Sequence, residues 1–328
     1  MRGTKTSAVA TTIFLLMTLM VSGWSGQLQA QSKYPTKGIQ IIVPYNPGGA
    51  TDLSARIVAD YLKKKWDVPV NVVNMPAGVR VAALLELYKA KPDGYTLLMD
   101  GMGSSSQMPV AVKNLPLNIM DRTFIGIFAE TPSIYVVAPD SPINNLQDLE
   151  ALIKKDPERF TWTSLGGAGS YDHAMRLYLK AIGADVMKTK PVVVKGGAEG
   201  VAMTAAGSVK LGFATLSSAG PSIGAKIIRG IAITSSERNP NFPDIPTVSQ
   251  AGYPGAIQAD RYGPSGPPNL PVYIVEIWEK ALQDMLKDPG VLEQLARIGC
   301  VPMYQNSAET RARVTKEMEE INQLYGLK

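Results

Sequence analysis

Ile39-Gln40-Ile41-Ile42-Val43-Pro44-Tyr45-Asn46-Pro47-Gly48-Gly49-Ala50-Thr51-Asp52 reads as a short apolar strand, a Pro/Gly loop and the opening of a helix. Gln40 is the only polar residue between Ile39 and Val43, a pattern that predicts a strand buried on both faces, as in a parallel sheet. Gly48 and Gly49 lack a Cβ and let a ligand approach the backbone. Leu53, Ile57, Val58, Tyr61 and Leu62 then recur at helical spacing. The first N–H groups of such a helix have no intrahelical acceptor and carry partial positive charge, so the loop is suited to an anion.

The pattern continues outward. Strands are expected over 69–73 and 95–99, with a helix over 79–90 and a turn at Pro92-Asp93-Gly94. This alternating order predicts an α/β fold with a parallel, doubly wound sheet. The small-residue run Gly101–Ser106, including Ser104, is expected as a loop at the carboxyl end of a strand, where open α/β sheets bind ligands. Residues 124–128 and 134–138 read as two separate apolar runs flanking Thr131-Pro132. Asn145 is placed to cap a helix bearing Leu146, Leu149 and Ile153.

The opening motif then recurs. A strand over 160–164, ending at Ser164, leads to Leu165-Gly166-Gly167-Ala168-Gly169-Ser170 and a helix with Ser170 as the expected N-cap. A strand over 191–194 leads to Lys195-Gly196-Gly197-Ala198, and residues 209–215 and 227–234 read as further strands. Residues 239–246 and Pro264-Ser265-Gly266-Pro267-Pro268 read as irregular breaks. Amphipathic helices close the chain, with Leu292, Leu295 and Ile298, then Val314, Met318, Ile321 and Tyr325, on their core faces.

Composition narrows the function. The chain has 328 residues and a formal net charge of +5, with no basic run interleaved with aromatics, so nucleic acid is not an expected partner. Residues 1–30 have the pattern of a secretory signal peptide, with Arg2 and Lys5 ahead of an apolar stretch over 8–21 and cleavage expected after Ala30. Its removal lowers the charge to +3, and the expected location is the periplasm. Cys300 and His173 are the only residues of their types, so neither an intrachain disulfide nor a multi-histidine zinc site is expected. No cofactor or metal is expected.

None of the Gly loops is a nucleotide fingerprint: Asp172 stands where G-x-G-x-x-G needs its last glycine. Ser170 and His173 are three apart on a helix start and raise the alternative of a secreted hydrolase, although a nucleophile–base pair is defined by geometry. Asp52 completes a first helical turn, Lys195 lies beside a Gly loop, and Arg80 and Arg261 are candidate carboxylate clamps.

The chain resembles the periplasmic solute-binding proteins of the tripartite tricarboxylate transporters, the Bug receptors. The likeness rests on Tyr34-Pro35-Thr36-Lys37, on the stretch from Val43 to Asp52, on Pro92-Asp93-Gly94-Tyr95-Thr96-Leu97-Leu98, on Gly169-Ser170-Tyr171-Asp172-His173 and on Lys195-Gly196-Gly197-Ala198. Phe242-Pro243-Asp244-Ile245-Pro246-Thr247 and Gly252-Tyr253 also fit. The resemblance implies a two-lobed Venus-flytrap fold of the type II-like kind, each lobe a sheet flanked by helices. The expected lobes are 33–128 with 236–328, and 129–235, joined by two crossing segments.

A monomeric receptor would bind a small mono- or dicarboxylate and deliver it to integral membrane transporter subunits, doing no chemistry on it. A receptor for a membrane sensor kinase is the other alternative. The resemblance places Tyr45, Asn46, Gly49, Thr51 and Asp52 at the ligand from one lobe, and Ser164, Gly169, Ser170, His173 and Lys195 from the other. The small-residue loops add Gly48, Ser104, Gly196 and Gly197 as expected ligand-binding residues. The chain departs from the family pattern at Asn74-Met75-Pro76-Ala77-Gly78-Val79-Arg80, at Lys210 and at Arg261.

Overall fold

The computed structural model describes residues 33–77, 80–101, 103–167 and 169–325. The signal-peptide reading lies outside the described residues, as do Gly78, Val79, Met102 and Ala168 of the loops discussed above.

β1 (Ile39–Val43) is flanked in parallel by β2 (Val70–Asn74) and β3 (Thr96–Asp100), with Ile41 opposite Val72 on one side and Leu97 on the other. Ile39, Ile41, Ile42 and Val43 are all buried, as the unbroken apolar run requires. Between these strands run α1 (Ala50–Trp66) and α2 (Val81–Lys89). α2 starts later than the sequence suggests because Arg80 has φ 74°, a left-handed conformation that cannot continue a helix.

The run after β3 is not an open loop. Gly103–Gln107 forms a π-helical turn that continues into α3 (Met108–Ala111). Ser104 and Ser105 N–H both donate to the Gly101 carbonyl at 3.1 Å, and the Ser104 hydroxyl donates to Asp100 at 2.6 Å, so the serines close the turn themselves.

After β4 (Arg122–Phe124), the two expected apolar runs prove to be one eleven-residue strand, β5 (Ile127–Val137), which passes straight through Thr131-Pro132. Pro132 is tolerated because it sits where the strand changes partners. Up to Pro132, β5 pairs antiparallel with β10 (Ala259–Pro268), and on its other side with β11 (Val301–Gln305). From Ser133 onward it pairs with β8 (Gly212–Thr215) and, from Ile134, with β9 (Arg229–Ile233).

The remaining elements are α4 (Leu146–Lys155), β6 (Thr161–Ser164), α5 (Ser170–Ala181), β7 (Lys190–Val193), α6 (Gly197–Ala205), α7 (Leu216–Gly224), α8 (Val272–Met285), α9 (Pro289–Arg297) and α10 (Ser307–Tyr325). Asn145 caps α4, accepting from Asp148 N–H at 2.8 Å. Gly169, not Ser170, is the N-cap of α5. β6 and β7 pair in parallel, and a Trp162–Leu211 bridge runs beside β6.

The Pro/Gly stretch expected as a break is the second half of β10. Its glycines permit close packing: a Cβ on Gly263 would lie 1.6 Å from the Gly126 carbonyl oxygen. Gly263 pairs with Asp100 and Ser265 with Leu98, so β10 is the antiparallel link between β3 and β5. β11 carries no clear apolar alternation, and its exposed Val301 and Pro302 explain why it is not visible in the sequence.

Two apolar cores follow. Ile42, Leu84, Leu87, Leu98, Met108, Phe124 and Val314 form one. Ile134, Val136, Val201, Ala214, Leu216, Ile228, Ile233 and Ile245 form the other. Truncating one member, such as Leu84→Ala, costs about 2–5 kcal/mol. Ile245 belongs to the second core, and Tyr253 packs edge-on against Tyr178 while its hydroxyl bonds Glu150 at 2.6 Å. The segment that includes Ile245 and Tyr253 therefore stays with the second core past residue 235, and the chain returns to the first sheet at Gln258 and Ala259. The fold is a two-lobed α/β architecture, each lobe built around one of these cores.

Candidate functional site

Four helix starts meet at one small cavity. Gly49, Ala50 and Thr51 come from α1, Ser170 and Tyr171 from α5, and Gly196 and Gly197 from α6; Thr215, the N-cap of α7, completes the set. Each helix start presents N–H groups that lack intrahelical acceptors and the positive end of a dipole. Four of them converging from two cores make a strongly anion-favouring pocket. Tyr45, Asn46, Leu165, Asp260 and Tyr262 form the rest of its wall.

Local sequence chemistry holds these starts in place. Asp52 is buried and accepts from Gly48 N–H (2.9 Å), from Arg56 (2.9 and 3.0 Å) and from Asn74 (2.9 Å). Burial alone would raise its pKa, but these donors carry it below the ordinary carboxylate value. Asp52 thus fastens the Gly48 turn, where φ is 87° and a side chain would be strained.

Asp172 does the same for the second lobe. It accepts from the Ser164 hydroxyl and from the N–H groups of Leu165 (2.9 Å) and Gly167 (3.0 Å). Burial raises its pKa, against the pull of these donors. Gly197 is needed where α6 begins, because a Cβ there would lie 2.5 Å from Ser218 Oγ and 2.8 Å from the Tyr171 hydroxyl.

Of the residues expected at the ligand, Tyr45, Asn46, Gly49, Thr51, Ser170, Gly196 and Gly197 line this cavity. Gly48, Asp52 and Ser164 stand behind it as supports, and Gly169 caps α5. Lys195 is exposed, and its backbone N–H donates to Glu199 at 2.8 Å. Ser104 is fully buried against Asp100, away from the cavity wall.

Arg261 does not face the cavity. Alternation along β10 turns Asp260 and Tyr262 inward, and Arg261 to the other side, where it pairs with Glu130 (3.2 Å) and Glu317 (2.9 Å). Arg80 is buried at the rim, its guanidinium 5.6 Å from the Tyr45 ring centre and its Nη1 3.3 Å from the Leu165 carbonyl.

His173 lies elsewhere. It lines a separate open cleft of about 880 Å³ with Glu130, Gln258, Arg261 and Glu317. Burial first, then the charge of Arg176, pushes its pKa down to about 4, so it is neutral at pH 7. Ser170 and His173 face different cavities, and no hydrogen bond joins them among the described residues. The geometry of a nucleophile–base pair is therefore not met.

Sequence reasoning missed Tyr171, Thr215, Asp260 and Tyr262 at this cavity. Thr215 and the β10 pair fall at the ends of strands whose partners are distant in sequence, and only Tyr171, beside Ser170, carried a local signal. The cavity encloses about 30 Å³, room for about one water molecule. Arg80 Nη1 donates to the carbonyl of Leu165, one of the residues in the cavity wall.

The family model described as tripartite tricarboxylate transporter family receptor matches residues 54–325. A UPF0065 protein of Agrobacterium vitis, from the ttuE–ttuC' intergenic region, is 30% identical over 314 residues, covering 95% of this chain and 89% of its own. The solved periplasmic binding protein BugD superposes with a TM-score of 0.81 at 25% identity, over 89% of this chain and 98% of its own. MatC of Rhodopseudomonas palustris, solved with bound malate, gives a TM-score of 0.82 at 22% identity, over 89% and 99%.

Proposed function

Since the chain belongs to the tripartite tricarboxylate transporter receptor family, a family of solute-binding receptors and not of enzymes, we propose that it captures a small organic carboxylate in the cavity between its lobes. The observation that carries this reading is the convergence of four helix N-termini, from both lobes, on one buried cavity. The malate bound by MatC is consistent with that chemistry.

In this reading the first lobe comprises residues 37–130 and 259–325, and the second residues 133–256. Backbone N–H groups and hydroxyls of Thr51 and Ser170 take the carboxylate, with Tyr45 and Asn46 beside it. A cavity of about 30 Å³ is too small for such a solute, so entry requires the lobes to part, hinged where β5 crosses at Pro132–Ser133 and where Gln258 meets Ala259. The closed form is the one presented to membrane transporter subunits, after export to the periplasm by the signal peptide. No described helix is long and apolar enough to cross a membrane.

A thermal-denaturation panel tests the reading. Mono- and dicarboxylates raise the melting temperature, and neutral sugars do not. Ligand at about a hundred times its dissociation constant adds roughly 2.7 kcal/mol. A shift produced by sugars alone would contradict the proposal.

A further inference from the structure

Among the described residues of the cavity wall, Tyr262 alone carries a buried side-chain polar atom with no hydrogen-bond partner, its hydroxyl. The residue is 0% exposed. A buried O–H without an acceptor is destabilising, and such groups are rare in folded proteins. Standing at a cavity wall, this one points to an acceptor that a bound molecule brings.

The ring is held where it is by its strand. Tyr262 pairs with Ala129 of β5 in the β10 ladder. Arg261, the residue before it, is fixed on the other face by Glu130 and Glu317. Gly263, the residue after it, lies so close to Gly126 that a Cβ there would come within 1.6 Å of the carbonyl oxygen. The backbone has no room to carry the phenol to another acceptor, and a group on a paired strand is positioned more precisely than one on a loop. Burial first, then the charge of Asp260, raises the phenol pKa well above the usual tyrosine value, so the hydroxyl stays protonated and is a donor.

The opposite wall consists of helix starts, whose N–H groups seat an anion. The cavity measures about 30 Å³, so an oxygen seated against those starts also lies against β10. We propose that the Tyr262 hydroxyl donates to an oxygen of the bound carboxylate, as the contribution of β10 to a site otherwise built from helix N-termini. This rests on the receptor reading given above and deepens it. The donor is neutral, so it recognises the acceptor without placing a second charge in the cavity.

Titration calorimetry and thermal denaturation of the mature protein test the assignment, with propionate, succinate, glutarate, adipate, aspartate and glutamate as probes. The variant is Tyr262→Phe, which keeps the ring and removes one oxygen atom. At least one of these acids binds the wild type. The variant binds it about 10- to 100-fold more weakly, yet without ligand melts no lower than the wild type, because an unpaired buried hydroxyl has been removed. Unchanged affinity would overturn the Tyr262 assignment and leave the receptor reading standing. A lower melting temperature of the free variant would show that the hydroxyl has an acceptor within the protein, and would overturn the assignment too. Binding of none of the probes by the wild type would overturn both.

Discussion

Arg80 Nη1 donates to the Leu165 carbonyl at 3.3 Å, tying the start of α2 to the Gly loop after β6. The bond joins the two lobes at the rim of the cavity, and it is made by a non-glycine residue held at φ 74°. Strain of about 1–3 kcal/mol at that residue is offset by what the guanidinium gains on closure. Arg80→Gly should relieve the strain and release the tie together. Its melting temperature should change by a few degrees at most, while the ligand-free protein shows a larger radius of gyration than wild type. An unchanged radius would mean that Arg80 does not hold the lobes together.

Ser170 faces the cavity at the start of α5, and among the described residues no hydrogen bond joins it to His173, which lines the other cleft. Ser170→Ala should weaken carboxylate binding by about 1.5–3 kcal/mol, the loss of one hydrogen bond to a charged group. Calorimetry reads this directly. Ester or amide hydrolysis by the wild type that vanishes in Ser170→Ala would contradict the receptor account.

Gly197→Ala puts a methyl group against Ser218 and Tyr171 at the start of α6. The clash is with side chains, so the fold should survive with a melting temperature lower by a few degrees. Binding should fall at least about tenfold, because the helix start is displaced from the solute. Retained affinity would show that α6 does not contribute its N-terminus.

His173 sets a pH dependence. Its folded pKa of about 4 lies below the ordinary value of 6.5, so the unfolded chain binds the proton more readily. Its contribution to stability is complete above pH 6.5 and is lost as pH falls toward 4. The loss amounts to at most about 3 kcal/mol. His173→Gln should therefore flatten the decline in melting temperature between pH 6.5 and 4 relative to wild type. Parallel curves for the two proteins would mean that His173 is not shielded from protons.

The alternation of strand and helix was legible because β1 and β3 carry apolar runs and β1, β3 and β6 each lead into a glycine-containing loop. The parallel start of the sheet follows from that alone. β10 was not legible, because Pro264, Gly266, Pro267 and Pro268 have the composition of a loop; their strand exists only through pairing with β3, β4 and β5. The same gap hid part of the cavity. Tyr45, Asn46, Thr51, Ser170 and Gly197 sit on local strand-to-helix turns and could be found there. Asp260 could not be told from Arg261 until the register of β10 fixed which of the two turns inward. Lys195 and His173 were placed at the site by the family resemblance and by their closeness to Gly loops and Ser170; in the structure Lys195 is exposed and His173 lines the other cleft.

The central claim is that a carboxylate is held between two lobes that close on it, and small-angle scattering tests it most directly. A ligand shifts the open–closed equilibrium only by its difference in affinity for the two states, and contacts from both lobes supply that difference. The account predicts that the radius of gyration falls when a binding carboxylate is added to the wild type. It also predicts that Ser170→Ala combined with Gly197→Ala stays folded but remains extended at the same ligand concentration. Identical scattering curves for the wild type with and without saturating ligand, unaltered in the double variant, would contradict it.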